Sequence, residues 1–220
     1  MTLRKSWVVA LAGVAAAVYL AMWIGYGMQW RWLATLDASA LNDCYRYGAH
    51  RPGWVSFWNA LCTVLGPTAF RIVALVLAVI ALRSRAVRTA LFLAVSVGLS
   101  GLVTVAAKAA ADRPRPATAL VSAPGSSFPS GHALEVMAGV LALCVVLFPM
   151  ARGSLRPCLI AIGAVVVVAV GVGRVVLNVH YPSDVVAGWS LGYLWFAASL
   201  PILAPQPARA TTVAEPLLDP

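Results

Sequence analysis

The stretch that decides the fold class is residues 158–177, which read CLIAIGAVVVVAVGVGRVVL. This run of β-branched and small apolar residues carries a single charge, at Arg174. In a soluble protein such a run could form a buried strand, but strands are usually only about 5–6 residues long. A helix that crosses the hydrocarbon core of a bilayer needs about 20 predominantly apolar residues. Residues 158–177 therefore predict a transmembrane helix.

The composition of the whole chain excludes an ordinary soluble domain. Of the 220 residues, 61% are hydrophobic and only 10% are charged, and the mean hydropathy is +0.87. A soluble domain has roughly a quarter charged residues, and a disordered chain combines low hydrophobicity with high charge. The chain is therefore expected to be an integral membrane protein.

Five other apolar runs predict five other spans, at residues 7–28, 57–82, 89–107, 132–148 and 185–203. The first run follows a basic start but is too long for the core of a typical signal peptide, so a retained helix is expected. The predicted fold class is all-α, a bundle of about six transmembrane helices. It forms a single domain over residues 1–220, with a short tail at 205–220.

The connection at residues 29–56 mixes charged residues with scattered aromatic ones, which are Trp30, Trp32, Tyr45, Tyr47 and Trp54. Such aromatic side chains are enriched where a membrane meets water. The pattern predicts a loop with interfacial anchors, or an amphipathic helix that lies on the membrane surface.

The basic residues predict an orientation in the membrane. The chain has 16 Lys and Arg against 7 Asp and Glu. No nucleic-acid partner is expected, because these residues lie between apolar runs rather than in one soluble patch. By the positive-inside rule, both termini lie in the cytoplasm and the loops at 29–56, 108–131 and 178–184 face outward, in a cytoplasmic (inner) membrane. The residues assigned to the cytoplasm are Arg4, Lys5, Arg83, Arg85, Arg88, Arg152, Arg156 and Arg209.

The outward segments carry ionisable residues that a membrane anchor does not need. Such groups are expensive at or within a bilayer, which makes them functional candidates. Lys and Arg side chains without matching carboxylates favour the binding of an anion. The free backbone N–H groups at the start of a helix can bind a phosphate. A carboxylate one helical turn from a histidine can hold its tautomer and raise its nucleophilicity. The residues concerned are Lys108, Arg115, Ser130, Gly131, His132, Arg174, His180 and Asp184.

These residues fall into three motifs: K-x6-R-P from Lys108 to Pro116, P-S-G-H at 129–132, and R-x5-H-x3-D from Arg174 to Asp184. Their order and spacing resemble the three-part signature of the type 2 phosphatidic acid phosphatase (PAP2) family, over residues 108–184. The family usually has Ser before the Arg of the third motif, where this chain has Gly173. The resemblance therefore does not imply the corresponding hydroxyl contact to the phosphate in this chain.

The resemblance implies a role for each matching position. His180 would be the nucleophile that forms a phosphohistidine, and Asp184 would orient it. His132 would be the general acid that protonates the leaving oxygen. The groups that bind the phosphoryl oxygens would be Lys108, Arg115, Arg174, Ser130 and the backbone N–H of Gly131.

Three further charged residues have open roles. Arg113 is not one of the defining positions of the three motifs, and it either contacts the phosphate or faces solvent. Glu135 is expected to pair with an arginine or with His132, and both Arg113 and Glu135 are assigned to the support of the site. Arg71 either faces the interior of the bundle or reaches toward the headgroup.

The sequence gives no metal-ligand pattern. Its four cysteines, Cys44, Cys62, Cys144 and Cys158, lack metal or redox spacing and are expected to be small buried hydrophobes. No metal and no cofactor are therefore predicted, and three fixed cations would supply the charge that phosphoryl transfer needs.

The expected function is a metal-independent membrane phosphatase that acts on a lipid phosphate or pyrophosphate, with membrane lipids as its surroundings. A lipid phosphotransferase that uses the same phosphohistidine is the first alternative. An anion or lipid transporter is the second, although transporters place ionisable residues near the bilayer midplane. The lipid and the oligomeric state are left open by the sequence.

Overall fold

A computed structural model describes residues 2–204, with side chains from residue 6 onward. The predictions for Arg4, Lys5, Arg209 and the tail at 205–220 therefore concern side chains outside the described part. Within residues 2–204 the regular structure is entirely helical. The helices are α1 (Thr2–Gly27), α2 (Arg31–Gly48), α3 (Pro52–Val64), α4 (Pro67–Arg83), α5 (Val87–Leu93), α6 (Ser100–Ala111), α7 (Gly131–Leu147), α8 (Leu155–Val176) and α9 (Pro182–Ser199). A π-helical segment, Ala94–Gly98, joins α5 to α6, and a 3-10 turn, Leu200–Leu203, follows α9.

Five helical stretches are long and apolar enough to cross a membrane: Ser6–Gly27, Pro52–Arg83, Val87–Ala111, Leu155–Val176 and Pro182–Leu203. The apolar helix α7 is shorter, at 17 residues. Large apolar side chains such as Val9, Leu75 and Val165 are exposed on the outside of the bundle. An apolar surface of this extent needs a hydrocarbon environment. The prediction of an all-helical integral membrane protein is confirmed.

Of the two predictions for residues 29–56, a loop or an amphipathic helix, the structure has a helix over most of the segment. The segment is helical over α2, and α3 begins at Pro52, five residues before the expected start of the second span. Pro52 and Pro67 each occupy the first turn of a helix, where proline is tolerated because its missing N–H would have no partner. The expected break at Gly66–Pro67 is present, since it separates α3 from α4.

Close contact between α7 and α9 brings two of the motifs together. A Cβ atom added at Gly188 would lie 2.6 Å from the carbonyl oxygen of Ser130, and one at Gly192 would meet the carbonyl of Leu134. The glycines therefore let the two backbones approach, as predicted for Gly188, Gly192 and Gly171. This packing fixes the start of α7 beside the start of α9.

Helix α2 closes the same end of the bundle. Its buried side chains Leu33, Asp37 and Leu41 recur every four residues and so share one face. This face packs against α8 and α9. The consequence is a carboxylate, Asp37, held inside the protein near the first turn of α9.

Candidate active site

The three motifs meet at one end of the bundle, around a cavity of about 490 Å³. The cavity lies between the end of α6, the start of α7, the end of α8 and the loop that precedes α9. Six of the eight motif residues line it: Lys108, Arg115, Gly131, His132, Arg174 and His180. Asp184 lies behind His180, with Nδ1 of the imidazole 3.4 Å from Oδ2 of the carboxylate.

His180 is held by the turn that starts α9. Its side chain is 2% exposed, and Asp184 is fully buried. Asp184 is the third residue of α9, and its Oδ2 accepts a hydrogen bond of 2.9 Å from the backbone N–H of Tyr181. A carboxylate in this position caps the free N–H groups of the helix. The cap therefore also places the carboxylate against the imidazole.

The neighbours of His180 fix its tautomer. Nη1 of Arg115 lies 3.2 Å from Nε2 of His180. A guanidinium can only donate, so Nε2 is the acceptor and the ring proton is on Nδ1, facing Asp184. Burial lowers the pKa of His180 to about 4, against the opposing effect of Asp184 and with a further lowering by Arg174 and Arg115. The imidazole is thus neutral near pH 7, and the lone pair on Nε2 accepts the hydrogen bond from Arg115.

A buried polar network stands behind this pair. Arg113 donates from Nη1 to Oδ1 of Asp184 at 2.7 Å and from Nη2 to Oδ2 of Asp37 at 2.9 Å. Asp37 accepts from the backbone N–H of Ser183 at 3.0 Å and from its hydroxyl at 2.5 Å. The guanidinium also lies over the rings of Tyr26 and Tyr181, at 4.7 and 3.8 Å from their centroids. Helices α2 and α9 and the loop after α6 are therefore joined directly behind His180.

Neither alternative stated for Arg113 describes this geometry. The side chain is buried and paired with two carboxylates, so it neither lines the cavity nor faces solvent. Asp37 was missed by the sequence argument altogether. The available signal was a lone carboxylate in register with the apolar residues Leu33 and Leu41 of an amphipathic segment.

Two of the cavity cations also hold the loop between α6 and α7. Lys108 donates from Nζ to the carbonyl of Ser126. Arg115 donates to the carbonyls of Pro124 at 3.0 Å, Gly125 at 2.9 Å and Val179 at 2.7 Å. These bonds take up part of the donor capacity of both side chains, and burial lowers the pKa of Arg115. Both cations are therefore preorganised at the rim of the cavity.

Other polar groups at or beside the cavity have hydrogen-bond donors that lack a partner within the described residues. Arg174 is 7% exposed, and its Nε has no hydrogen-bond partner within residues 2–204. The hydroxyl of Ser130 is also unpartnered there; Ser130 is fully buried next to Gly131 and does not itself line the cavity. The first N–H groups of α7, from Gly131 onward, have no intrahelical acceptor. Orphaned donors beside a cationic cavity are the arrangement that an anion satisfies.

Glu135 pairs with an arginine, which is Arg71. Its other carboxylate oxygen is 3.3 Å from the hydroxyl of Thr104. Both Arg71 and Glu135 line the cavity. Glu135 lies about one helical turn further along α7 than His132, and Arg71 reaches it from α4.

The structure gives a reason for Gly173. A Cβ atom at this position would lie 2.6 Å from Sγ of Cys62 and 2.9 Å from the Trp58 ring. The thiol of Cys62, which is buried and lines the cavity, occupies the space that a serine side chain at position 173 would need. The expectation that the four cysteines are buried holds for Cys62 but is wrong for Cys158, which is exposed on α8.

Within the part of the chain that the structure describes, no three or more His, Cys, Asp and Glu side chains are placed to hold a metal ion. The charge at the cavity comes from its side chains. Within the lining, four cations, Arg71, Lys108, Arg115 and Arg174, face one carboxylate, Glu135.

The chain resembles known proteins in sequence and in fold. The family model of the PAP2 superfamily matches residues 89–206, more than half of the chain. The sequence is 41% identical over 71 residues to lipid A 1-phosphatase of Rhizobium johnstonii and 38% identical over 88 residues to phosphatidylglycerophosphatase B of Bacillus subtilis. These matches cover 32% and 39% of this chain, and 25% and 43% of the two relatives.

The fold matches the crystal structure of a transmembrane PAP2 type phosphatidylglycerolphosphate phosphatase from Bacillus subtilis. The TM-score is 0.72 at 22% sequence identity, and the match covers 84% of this chain and 94% of that chain. At this level of identity the match establishes the fold.

The first prediction tests the buried network of Asp37, Arg113 and Asp184 behind His180. Asp37→Asn removes one of the two carboxylates that face Arg113. We expect a clear fall in the melting temperature in detergent, because breaking a buried ion pair typically costs about 3–5 kcal/mol. The control is Asp43→Asn, an exposed position on the same helix. Equal melting temperatures for the two variants would contradict a supporting role for Asp37.

The second prediction concerns the protonation state of His180. The chain contains three histidines, so ¹³C-histidine labelling in detergent micelles gives three resonances, which single His→Gln variants assign. Since the pKa of His180 is lowered to about 4, its resonance should show no titration midpoint above pH 5. The exposed His50 serves as an internal reference. A midpoint near 6.5 for His180 would show that burial does not keep the ring neutral.

Proposed function

The chain belongs to the PAP2 superfamily, and we propose that it is an integral-membrane phosphatase that hydrolyses a lipid phosphate or pyrophosphate. The observation that carries the proposal is the placement of His180. Its Nε2 faces a cavity lined by Lys108, Arg115 and Arg174, while Asp184 holds Nδ1 from behind. This arrangement joins a nucleophile to a site for a phosphoryl group.

In the first step, the lone pair on Nε2 of His180 attacks phosphorus and forms a P–N bond. The bond between phosphorus and the leaving oxygen breaks, and His132 donates a proton to that oxygen. Asp184 stabilises the positive charge that develops on the imidazole. General acid catalysis of this kind contributes about 10²–10⁴-fold.

In the second step, water attacks the phosphohistidine. His132, now neutral, accepts a proton from the water, the P–N bond breaks, and inorganic phosphate leaves. His180 returns to its neutral form. The charge on the equatorial oxygens in both transition states faces Arg174, Lys108, Arg115 and the N–H groups at the start of α7. Preorganised donors of this kind are usually the largest source of catalysis.

The cationic lining supports a metal-independent reaction. Phosphoryl transfer requires positioning and charge neutralisation more than covalent chemistry. Lys108, Arg115 and Arg174 supply three positive charges at the cavity. No step above requires a metal-bound water, because His180 is already the nucleophile.

The lipid is proposed at the level of a class. Candidates are a polyprenyl pyrophosphate, phosphatidic acid, phosphatidylglycerol phosphate and a lipid A phosphate. Two relatives carry names that specify lipid phosphates, namely lipid A 1-phosphatase and phosphatidylglycerophosphatase B. The apolar outer surface of the helices beside the cavity suits a substrate that arrives from the bilayer.

The proposed orientation places the cavity on the outer side of a cytoplasmic membrane. The basic connection between α4 and α5, with Arg83, Arg85 and Arg88, lies at the end of these helices remote from the cavity. The positive-inside rule assigns such a connection to the cytoplasm. Helix α2, at the cavity end, would then lie at the outer surface.

The third prediction tests the activity itself. Purified protein in detergent should release inorganic phosphate from lipid phosphates in the presence of EDTA, and vanadate should inhibit it. A panel of the four candidate lipids, assayed together, identifies the preferred substrate. Loss of activity in EDTA that magnesium restores would contradict the cationic mechanism. Transfer of the phosphoryl group to a lipid alcohol, without release of phosphate, would show a phosphotransferase.

The fourth prediction tests the sidedness. Reporter fusions after Arg85 and Arg152 should be active only in the cytoplasm, and a fusion near Ala123 should be active only outside. The physical reason is the alternation of arginine-rich connections along the chain. A cytoplasmic reporter at Ala123 would overturn the orientation.

A further inference from the structure

The cavity extends beyond the groups that the proposed reaction uses. Along α7, Glu135 follows His132 by three residues, a rise of about 4.5 Å and nearly one turn. Arg71 of α4 and Thr104 of α6 line the cavity at the same level. This second region, formed by Arg71, Thr104 and Glu135, is called the inner subsite here.

The inner subsite is built from fixed groups. Nη2 of Arg71 donates to Oε2 of Glu135, and the hydroxyl of Thr104 lies 3.3 Å from Oε1. The guanidinium also rests against α6, since a Cβ atom at Gly101 would lie 2.7 Å from Nη2. The Glu135 side chain is 10% exposed, whereas that of Arg71 is 44% exposed. Arg71 therefore presents further N–H groups to the cavity while its position is held.

The charge of the inner subsite differs from that of the phosphoryl site. Lys108, Arg115 and Arg174 face the cavity without a carboxylate in the lining beside them, which suits a dianion. Arg71 and Glu135 form an ion pair and cancel each other. A second phosphate would bring uncompensated negative charge next to Glu135, which is unfavourable at low dielectric constant. A neutral group that both donates and accepts hydrogen bonds matches the subsite better.

We propose that the inner subsite binds a free hydroxyl group on the carbon next to the phosphorylated carbon of the substrate, as found in a glycerol phosphate. The hydroxyl would accept from Arg71 and donate to Glu135 or Thr104. This inference rests on the proposed function, in which His132 protonates the leaving oxygen. The alcohol attached to that oxygen then continues past His132 toward the next turn of α7.

This contact distinguishes classes of lipid. A polyprenyl chain or a glycerol whose second hydroxyl is acylated offers no such group, and the polar atoms of the subsite would face it without a partner. Sites built to hydrogen-bond a substrate hydroxyl reject analogues that lack it, because the buried polar groups are left unpaired. The subsite is therefore a determinant of specificity within the lipid phosphates.

The test compares two lipid phosphates that each carry one acyl chain and differ by one hydroxyl group: 1-acyl-glycerol 3-phosphate and 1-acyl-propane-1,3-diol 3-phosphate. The wild-type protein should prefer the first by about 10-fold or more in kcat/KM, the usual value of a hydrogen bond to a charged group. In Arg71→Gln/Glu135→Gln the preference should fall below about 3-fold, because kcat/KM should fall further for the hydroxyl substrate than for the deoxy substrate. Thr104→Val, which keeps the shape of the side chain, should reduce the preference to a smaller extent.

Arg83→Gln, at the exposed far end of α4, is the matched control and should keep the full preference. A wild-type preference near one would overturn the inference. So would an equal loss of kcat/KM on both substrates in every variant, because that pattern marks a structural ion pair. Hydrolysis of the deoxy substrate shows that the phosphatase itself works. No hydrolysis of any lipid phosphate would instead defeat the proposed function, and the inference with it.

Discussion

The contact on which the site depends is the buried ion pair between Arg113 and Asp184. Asp184 also accepts from the backbone of Tyr181 and faces Nδ1 of His180, so one carboxylate sets the start of α9 and the orientation of His180. Removing one partner of such a pair leaves an uncompensated buried charge. Asp37 shares Arg113, which extends the constraint to α2. The segment before the second span is thus joined to the candidate site.

Two of the cations that line the cavity also hold the protein backbone in place. Lys108 and Arg115 bind backbone carbonyls of the loop between α6 and α7, and that loop closes one side of the cavity. Arg174, with an unpartnered Nε, has no such engagement within the described residues. Phosphoryl oxygens would therefore meet charges that are already positioned, and little reorganisation would accompany the reaction.

Local features were predictable from the sequence, and contacts between distant segments were not. The long apolar runs predicted the spans, because a helix in a bilayer must be both long and apolar. Motif spacing identified His180, His132 and Arg174 as site candidates, and the structure places them around one cavity. Asp37 lies in register with Leu33 and Leu41, but its pairing with Arg113 and that of Arg71 with Glu135 depend on how α2 and α4 pack, which no local pattern encodes. The explanation of Gly173 likewise lies in Cys62, more than a hundred residues away.

The assignment of His180 as the nucleophile can be tested by identifying the residue that becomes phosphorylated. Protein mixed with a ³²P-labelled lipid phosphate is quenched in alkali within milliseconds, digested and analysed by mass spectrometry. We expect an acid-labile phosphoryl group on His180, absent in His180→Ala. A label on His132, or one that persists in His180→Ala, would contradict the assignment of His180 as the nucleophile.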